Sequence, residues 1–132
     1  MSEKKKHAPE YTLHVVHRKD PETSKPGIAL VVQTVREFVS FEYEIPTESA
    51  MTGRTISLTI HGLRVPEALV PGKGHAKGFV VHEKLKGAYD LVVTNVDGME
   101  NRFTLSIHPT EITIKGLTRR PFIIPSSERV QV

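Results

Sequence analysis

The chain has 132 residues, 38% hydrophobic and 25% charged, enough for one sizeable core; with 6% aromatic residues and no Trp, that core has to be built from Val, Ile and Leu. It contains no Cys, which excludes disulfide frameworks, thiolate zinc sites, iron–sulfur ligation and cysteine nucleophiles, so any metal site must be made of His and carboxylate. The formal charge of +3 comes from the two ends: residues 1–6 carry a net +2 and residues 115–132 a net +3, against −2 for residues 7–114, so the body lacks the Lys and Arg excess with which a domain grips nucleic acid.

Residues 1–9 are charged and without apolar periodicity, which predicts a disordered basic tail ahead of a single β-sandwich domain over 10–132. No apolar segment of a secretory signal follows the lysines, and no apolar run approaches the roughly 18 residues that span a bilayer. A cytoplasmic address with no membrane partner is the expectation. Strands are predicted over 11–17, 28–34 and 38–45 from their Val, Ile, Phe and Tyr content. Between Pro26 and Pro46, however, Ala29, Val32, Val35, Val39 and Tyr43 also fit a helical spacing, so a helix stays open there beside the strands.

The clearest alternation follows. Over 55–61, Ile56, Leu58 and Ile60 point one way and Thr55, Ser57, Thr59 and His61 the other; over 102–108, Phe103, Leu105 and Ile107 oppose Arg102, Thr104, Ser106 and His108. Ile112 and Ile114 repeat the pattern in short form, and strands are further predicted over 79–83 and 88–96. The longest irregular stretch, 64–77, holds Pro66, Pro71, Gly72 and Gly74 and reads either as a functional loop or as a crossover between sheets. At Asn95-Val96-Asp97-Gly98 a hairpin is expected, with Asp-Gly supplying positive-φ positions. Short strands with prolines between them and no secure helix indicate an all-β barrel or sandwich, and an antiparallel two-sheet β-sandwich of about eight strands is the fold expected.

The run Lys86-Gly87-Ala88-Tyr89-Asp90-Leu91-Val92-Val93-Thr94-Asn95-Val96-Asp97-Gly98 resembles the late hairpin of immunoglobulin-like domains of the bacterial IPT/TIG type, and Gly53 to Gly62 looks like an earlier strand of the same family. Together they cover roughly residues 50–108. The aromatic that usually follows the second glycine is replaced by Leu63 and Val65, and residues 10–45 have no counterpart. The resemblance implies an immunoglobulin-like scaffold, which serves many unrelated functions. On physical grounds Tyr89 after Gly87 fits a tyrosine corner: a buried ring whose hydroxyl returns to the backbone just upstream, with Leu91 and Val93 on the same inward face.

Seven histidines, at 7, 14, 17, 61, 75, 82 and 108, are the most unusual feature. His14 and His17 fall on opposite faces of a strand. If the segments near 55, 79, 89 and 102 run up and down in order, His82 and His108 finish at one end and His61 at the other; a pair without a third ligand is a poor zinc site, so His82 and His108 are the metal candidates on weak grounds, beside a reading of all seven as scattered surface residues. Glu42 and Glu44 share a strand face, a spacing that glycoside hydrolysis can use only inside a deep cleft and that a solvated face explains equally well. No Gly-x-Ser-x-Gly, His-Glu-x-x-His or phosphate-loop pattern is present. Lys73, His75 and Lys77, interleaved with glycines, are candidates for wrapping an anion in a loop.

These features lead to the expectation of a non-catalytic binding or structural module, without a cofactor, that presents loops or an edge strand to a protein partner or to a second copy of itself. Val31 and Phe38 alternate out of phase with the apolar sets of their strands, which predicts cover on both faces of the N-terminal region. The alternatives are a small His/Glu metal-dependent enzyme built around 64–78, and weak nucleic-acid binding through the basic tails.

Overall fold

Segments of high strand propensity are interrupted by prolines, and every regular element among the described residues of the computed structural model is a strand. The structure describes residues 9–19, 22–39, 43–65 and 74–126. Nine strands are formed among them: β1 (Tyr11–Lys19), β2 (Pro26–Phe38), β3 (Thr47–Thr52), β4 (Thr55–Ile60), β5 (Gly74–Glu83), β6 (Gly87–Thr94), β7 (Glu100–Ile107), β8 (Ile112–Gly116) and β9 (Ile123–Pro125). They make a two-sheet β-sandwich, with order β5-β2-β1-β9 in one sheet and β3-β4-β6-β7-β8 in the other. No helix among the described residues is long and apolar enough to cross a membrane.

The period-two sets meet between the sheets. Leu13 and Val15 of β1 with Ile28, Leu30 and Val32 of β2 face Ile56, Leu58 and Ile60 of β4, Leu91 and Val93 of β6, and Phe103, Leu105 and Ile107 of β7, all buried in one cluster. Neighbouring strands are mostly antiparallel, but β1 pairs with β9 and β4 with β6 in parallel. The segments near 55, 79, 89 and 102 keep the alternating directions expected of them, with β4 and β6 running the same way, but they do not form one sheet: β5 belongs to the opposite sheet and β4 pairs directly with β6. Asn101 Oδ1, buried at the start of β7, accepts from the Phe122 and Ile123 amides at 2.9 and 3.2 Å and fixes β9 beside Tyr11.

Among the described residues between Pro26 and Pro46 there is a strand, 13 residues long, and no helix. The helical spacing mixes its two faces: Val32 belongs to the core, whereas Ala29, like Val31, points away from it and is still fully buried. The register places Val31 between Phe79 of β5 and His14 of β1, and Ala29 between Val81 and Val16, while the Arg18 guanidinium lies 5.0 Å from the centre of the Phe79 ring. A strand apolar on both faces loses its period-two signature.

The strand expected over 38–45 does not form as such: Phe38 ends β2, residues 40–42 lie outside the described residues, and Glu44 makes only isolated bridges to Arg64 and Lys77. Part of the expected loop over 64–77 is instead the start of β5, its residues 66–73 lying outside the described residues. Of the tail expected over 1–9, only Pro9 lies within them. The β6–β7 hairpin forms with Gly98 N donating to Asn95 O at 3.0 Å, and Gly98 alone takes a positive φ (81°) there, so Asp97 does not share that role as expected. This is a type I turn followed by a left-handed glycine.

Candidate functional site

The strand directions define two ends. At one, here the Asn95 end, lie the β6–β7 turn, the start of β1 and the ends of β2, β4 and β8; at the other, the Lys84 end, lie the β5–β6 corner, the end of β1 and the end of β7. Each end has its own concavity.

At the Asn95 end an open groove of about 420 Å3 is lined by Pro9, Glu10, Tyr11, Thr34, Val35, Arg36, Phe38 and Leu63. The Val35 amide donates to Glu10 O at 3.0 Å, which seats Pro9 and Glu10 against β2. The Phe38 ring packs at a tilt against Tyr43, with centroids 4.8 Å apart, and carries the Arg36 guanidinium at 5.0 Å. Burial, with Glu10 and Asp97 nearby, pushes the Tyr11 hydroxyl above its usual pKa. Of the nine large hydrophobic side chains exposed among the described residues, seven belong to this end: Val35, Val39, Leu63, Val65, Val96, Met99 and Leu117.

At the Lys84 end a cleft of about 390 Å3 is lined by His17, Lys84, Leu85, Lys86, Ile107, His108 and Pro109. A second cavity of about 190 Å3 shares His17, Lys84 and Leu85 with it and extends to Pro26, Gly27 and Ile28. The β5–β6 corner presents these groups by alternation, Leu85 buried in the core between exposed Lys84 and Lys86. Tyr89 braces the corner: its ring is buried and its hydroxyl accepts from the Lys86 amide at 3.0 Å, the tyrosine-corner geometry, with Leu91 and Val93 buried on the same face. Arg54 lies over that ring at 4.6 Å and donates to Lys86 O at 2.8 Å. Across the cleft, His17 Nε2 donates to His108 O at 3.2 Å, joining the two sheets.

The residues singled out from sequence are dispersed. His82 sits on β5 with its ring bonded to Ser49 Oγ of β3 at 2.8 Å, and burial lowers its pKa. His108 bonds Ser106 Oγ at 3.0 Å in the other sheet, so the two metal candidates have separate partners. Among the described residues no group of three or more His, Asp or Glu is placed to hold a metal ion. His75 and Lys77 are corrected from loop to strand: both lie on β5, where His75 Nδ1 donates to Thr34 O at 2.7 Å and Lys77 is exposed. Lys73 and Glu42 lie outside the described residues, as do the tail residues 1–8 and 127–132; Glu44 is engaged by Arg64 at 2.6 Å. His17, Lys84 and Lys86 were missed by sequence reasoning because their convergence depends on strand order, and the only local trace is the Lys-Leu-Lys alternation before Gly87. No family model matches the chain, and no curated protein or solved structure does.

Proposed function

We infer that the chain is a non-catalytic binding module of immunoglobulin-like type that presents the connections at its Asn95 end to a protein partner. The observation carrying this reading is the collection of Val35, Val39, Leu63, Val65, Val96, Met99 and Leu117, all exposed, around one end of the sandwich. Scattered surface apolar residues need no explanation, whereas a gathering of this kind beside a groove is the usual mark of an interaction surface. The groove between Tyr11, Val35, Phe38 and Leu63 takes an apolar anchor, and Glu10 and Arg36 at its rim supply polar contacts of both signs. Connections held on a rigid sandwich meet a partner with little ordering cost.

Panning a displayed peptide library on the purified chain is the test. Enrichment of peptides with apolar anchors, lost in Val35→Asp and Leu63→Asp, is the expected result; both side chains are about half exposed, so the fold tolerates the changes. Retention of the enriched peptides by both variants would overturn the reading. A second copy of the chain is the other partner in this class, favoured by the apolar outer face on which Phe79 stays 41% exposed beside Val31. Sedimentation separates the two: a dimer weakened by Phe79→Lys and untouched by Leu63→Asp assigns self-association to that face.

A further inference from the structure

The cleft at the Lys84 end takes no part in the reading above. Its lining contains two lysines and two histidines, and no carboxylate. Among the described residues neither Lys84 nor Lys86 is within ion-pair distance of an acid, although Glu44, Glu48, Glu37 and Glu100 each have a basic partner. The basic groups come from three separate places, the end of β1, the β5–β6 corner and the end of β7, and converge over an apolar floor of Leu85, Ile107 and Pro109.

The backbone of the corner is strained at one residue and held at another. Lys84 adopts φ +62°, a left-handed conformation that Gly or Asn takes far more readily than Lys. The corner behind it is held by the Tyr89 hydroxyl on the Lys86 amide and by Arg54 on the Lys86 carbonyl. Strain retained at a residue whose neighbours fix it is characteristic of sites where side-chain placement matters. Because His17 Nε2 donates to the His108 carbonyl, its Nδ1 is left as the ring atom for a ligand, and it donates to an oxyanion in the imidazolium form.

We propose that this cleft binds a small organic phosphate, its oxyanion held by Lys84, Lys86, His17 and His108 and its apolar body resting on Leu85, Ile107 and Pro109. Two lysines and two imidazoles match a doubly charged oxyanion better than a single carboxylate, and lysine serves as a point charge toward phosphate. A volume of about 390 Å3, extended by the adjoining cavity of about 190 Å3, fits a ligand of that size.

The test is an NMR titration of the whole chain with phenyl phosphate, inorganic phosphate, benzoate and phenol. Saturable shifts of the Leu85 and Ile107 methyls and of the His17 and His108 imidazoles are expected with phenyl phosphate, weaker ones with inorganic phosphate, and none with phenol. The double variant Lys84→Gln/Lys86→Gln is expected to lose about tenfold or more in affinity. Raising NaCl from about 50 mM to about 300 mM is expected to weaken binding of the parent. Lys84→Gly relieves the strained backbone as it removes the charge, so it is expected to raise the thermal midpoint and lower the affinity together, which separates loss of the site from loss of the fold. Benzoate binding as tightly as phenyl phosphate, shifts with phenol, or unchanged affinity in the double variant would each overturn the proposal.

Discussion

Tyr89 holds the β5–β6 corner through two different kinds of interaction, and substitutions separate them. Its ring fills the core beneath Arg54, and its hydroxyl satisfies the Lys86 amide. Tyr89→Ala leaves a cavity and is expected to cost about 3 kcal/mol or more, whereas Tyr89→Phe keeps the ring and loses about 1 kcal/mol with the hydrogen bond. Paired denaturant melts check both, and an Ala variant as stable as the parent would refute the corner's role. Lys84→Gly runs in the other direction, because a left-handed non-glycine residue carries about 1 kcal/mol of strain, partly offset by the larger unfolded-state entropy of Gly. The Tyr89 corner was legible in sequence because it is made within four residues, Lys86 to Tyr89. The strain at Lys84 was not, since nothing in Glu83-Lys84-Leu85 marks a positive φ.

Among the elements, legibility followed burial on one face. β4, β6 and β7 each bury one alternating set, so their sequences carry the period directly. β3 was missed: Thr47–Thr52 has no buried set, and it is a strand because β4 pairs with it through Gly53-Arg54. The three-residue β9 was missed too, its position set from outside by Asn101. Asn101→Ala leaves the Phe122 and Ile123 amides without their acceptor and is expected to cost about 2 to 4 kcal/mol. Hydrogen exchange should then show faster exchange in β9 than in β4, and unchanged protection of Ile123 would contradict this account. On the opposite flank, an added Cβ at Gly78 of β5 would collide with the Ile45 carbonyl and Thr47 Oγ1, where the segment before β3 crosses close to the backbone. Gly78→Ala is therefore expected to destabilise by about 3 kcal/mol, measurable in the same melts.

For the molecule as a whole, stability should depend on pH through His82. Burial against β3 lowers its pKa in the folded state from the ordinary value of 6.5. The unfolded chain therefore binds this proton more tightly, and the contribution is complete above about pH 6.5 and lost as the pH falls through the lowered folded value. Melts from pH 7.5 down to about 5 should show declining stability, and His82→Gln, which keeps a polar partner for Ser49, should flatten part of that slope. An identical slope in the variant would exclude His82 as its source. The same global view shows what the charge count along the chain conceals. Residues 7–114 carry a net −2, yet the fold gathers His17, Lys84, Lys86 and His108 into one acid-free cleft and sends most exposed apolar side chains to the opposite end.

Composition and alternation were sufficient by themselves to specify an all-β fold, barrel or sandwich, with an aliphatic core, because period two is a local property: each strand with one buried face states which of its residues turn inward. The alternation of Ile56, Leu58 and Ile60 is the same whether the neighbouring strand runs parallel or antiparallel, so it contains no information about β6 lying beside β4. Strand order, the parallel pairs and both candidate sites therefore rest on packing between segments distant in sequence. His17 and His108 are 91 positions apart and meet only because β1 and β7 bring their ends to the same side of the sandwich.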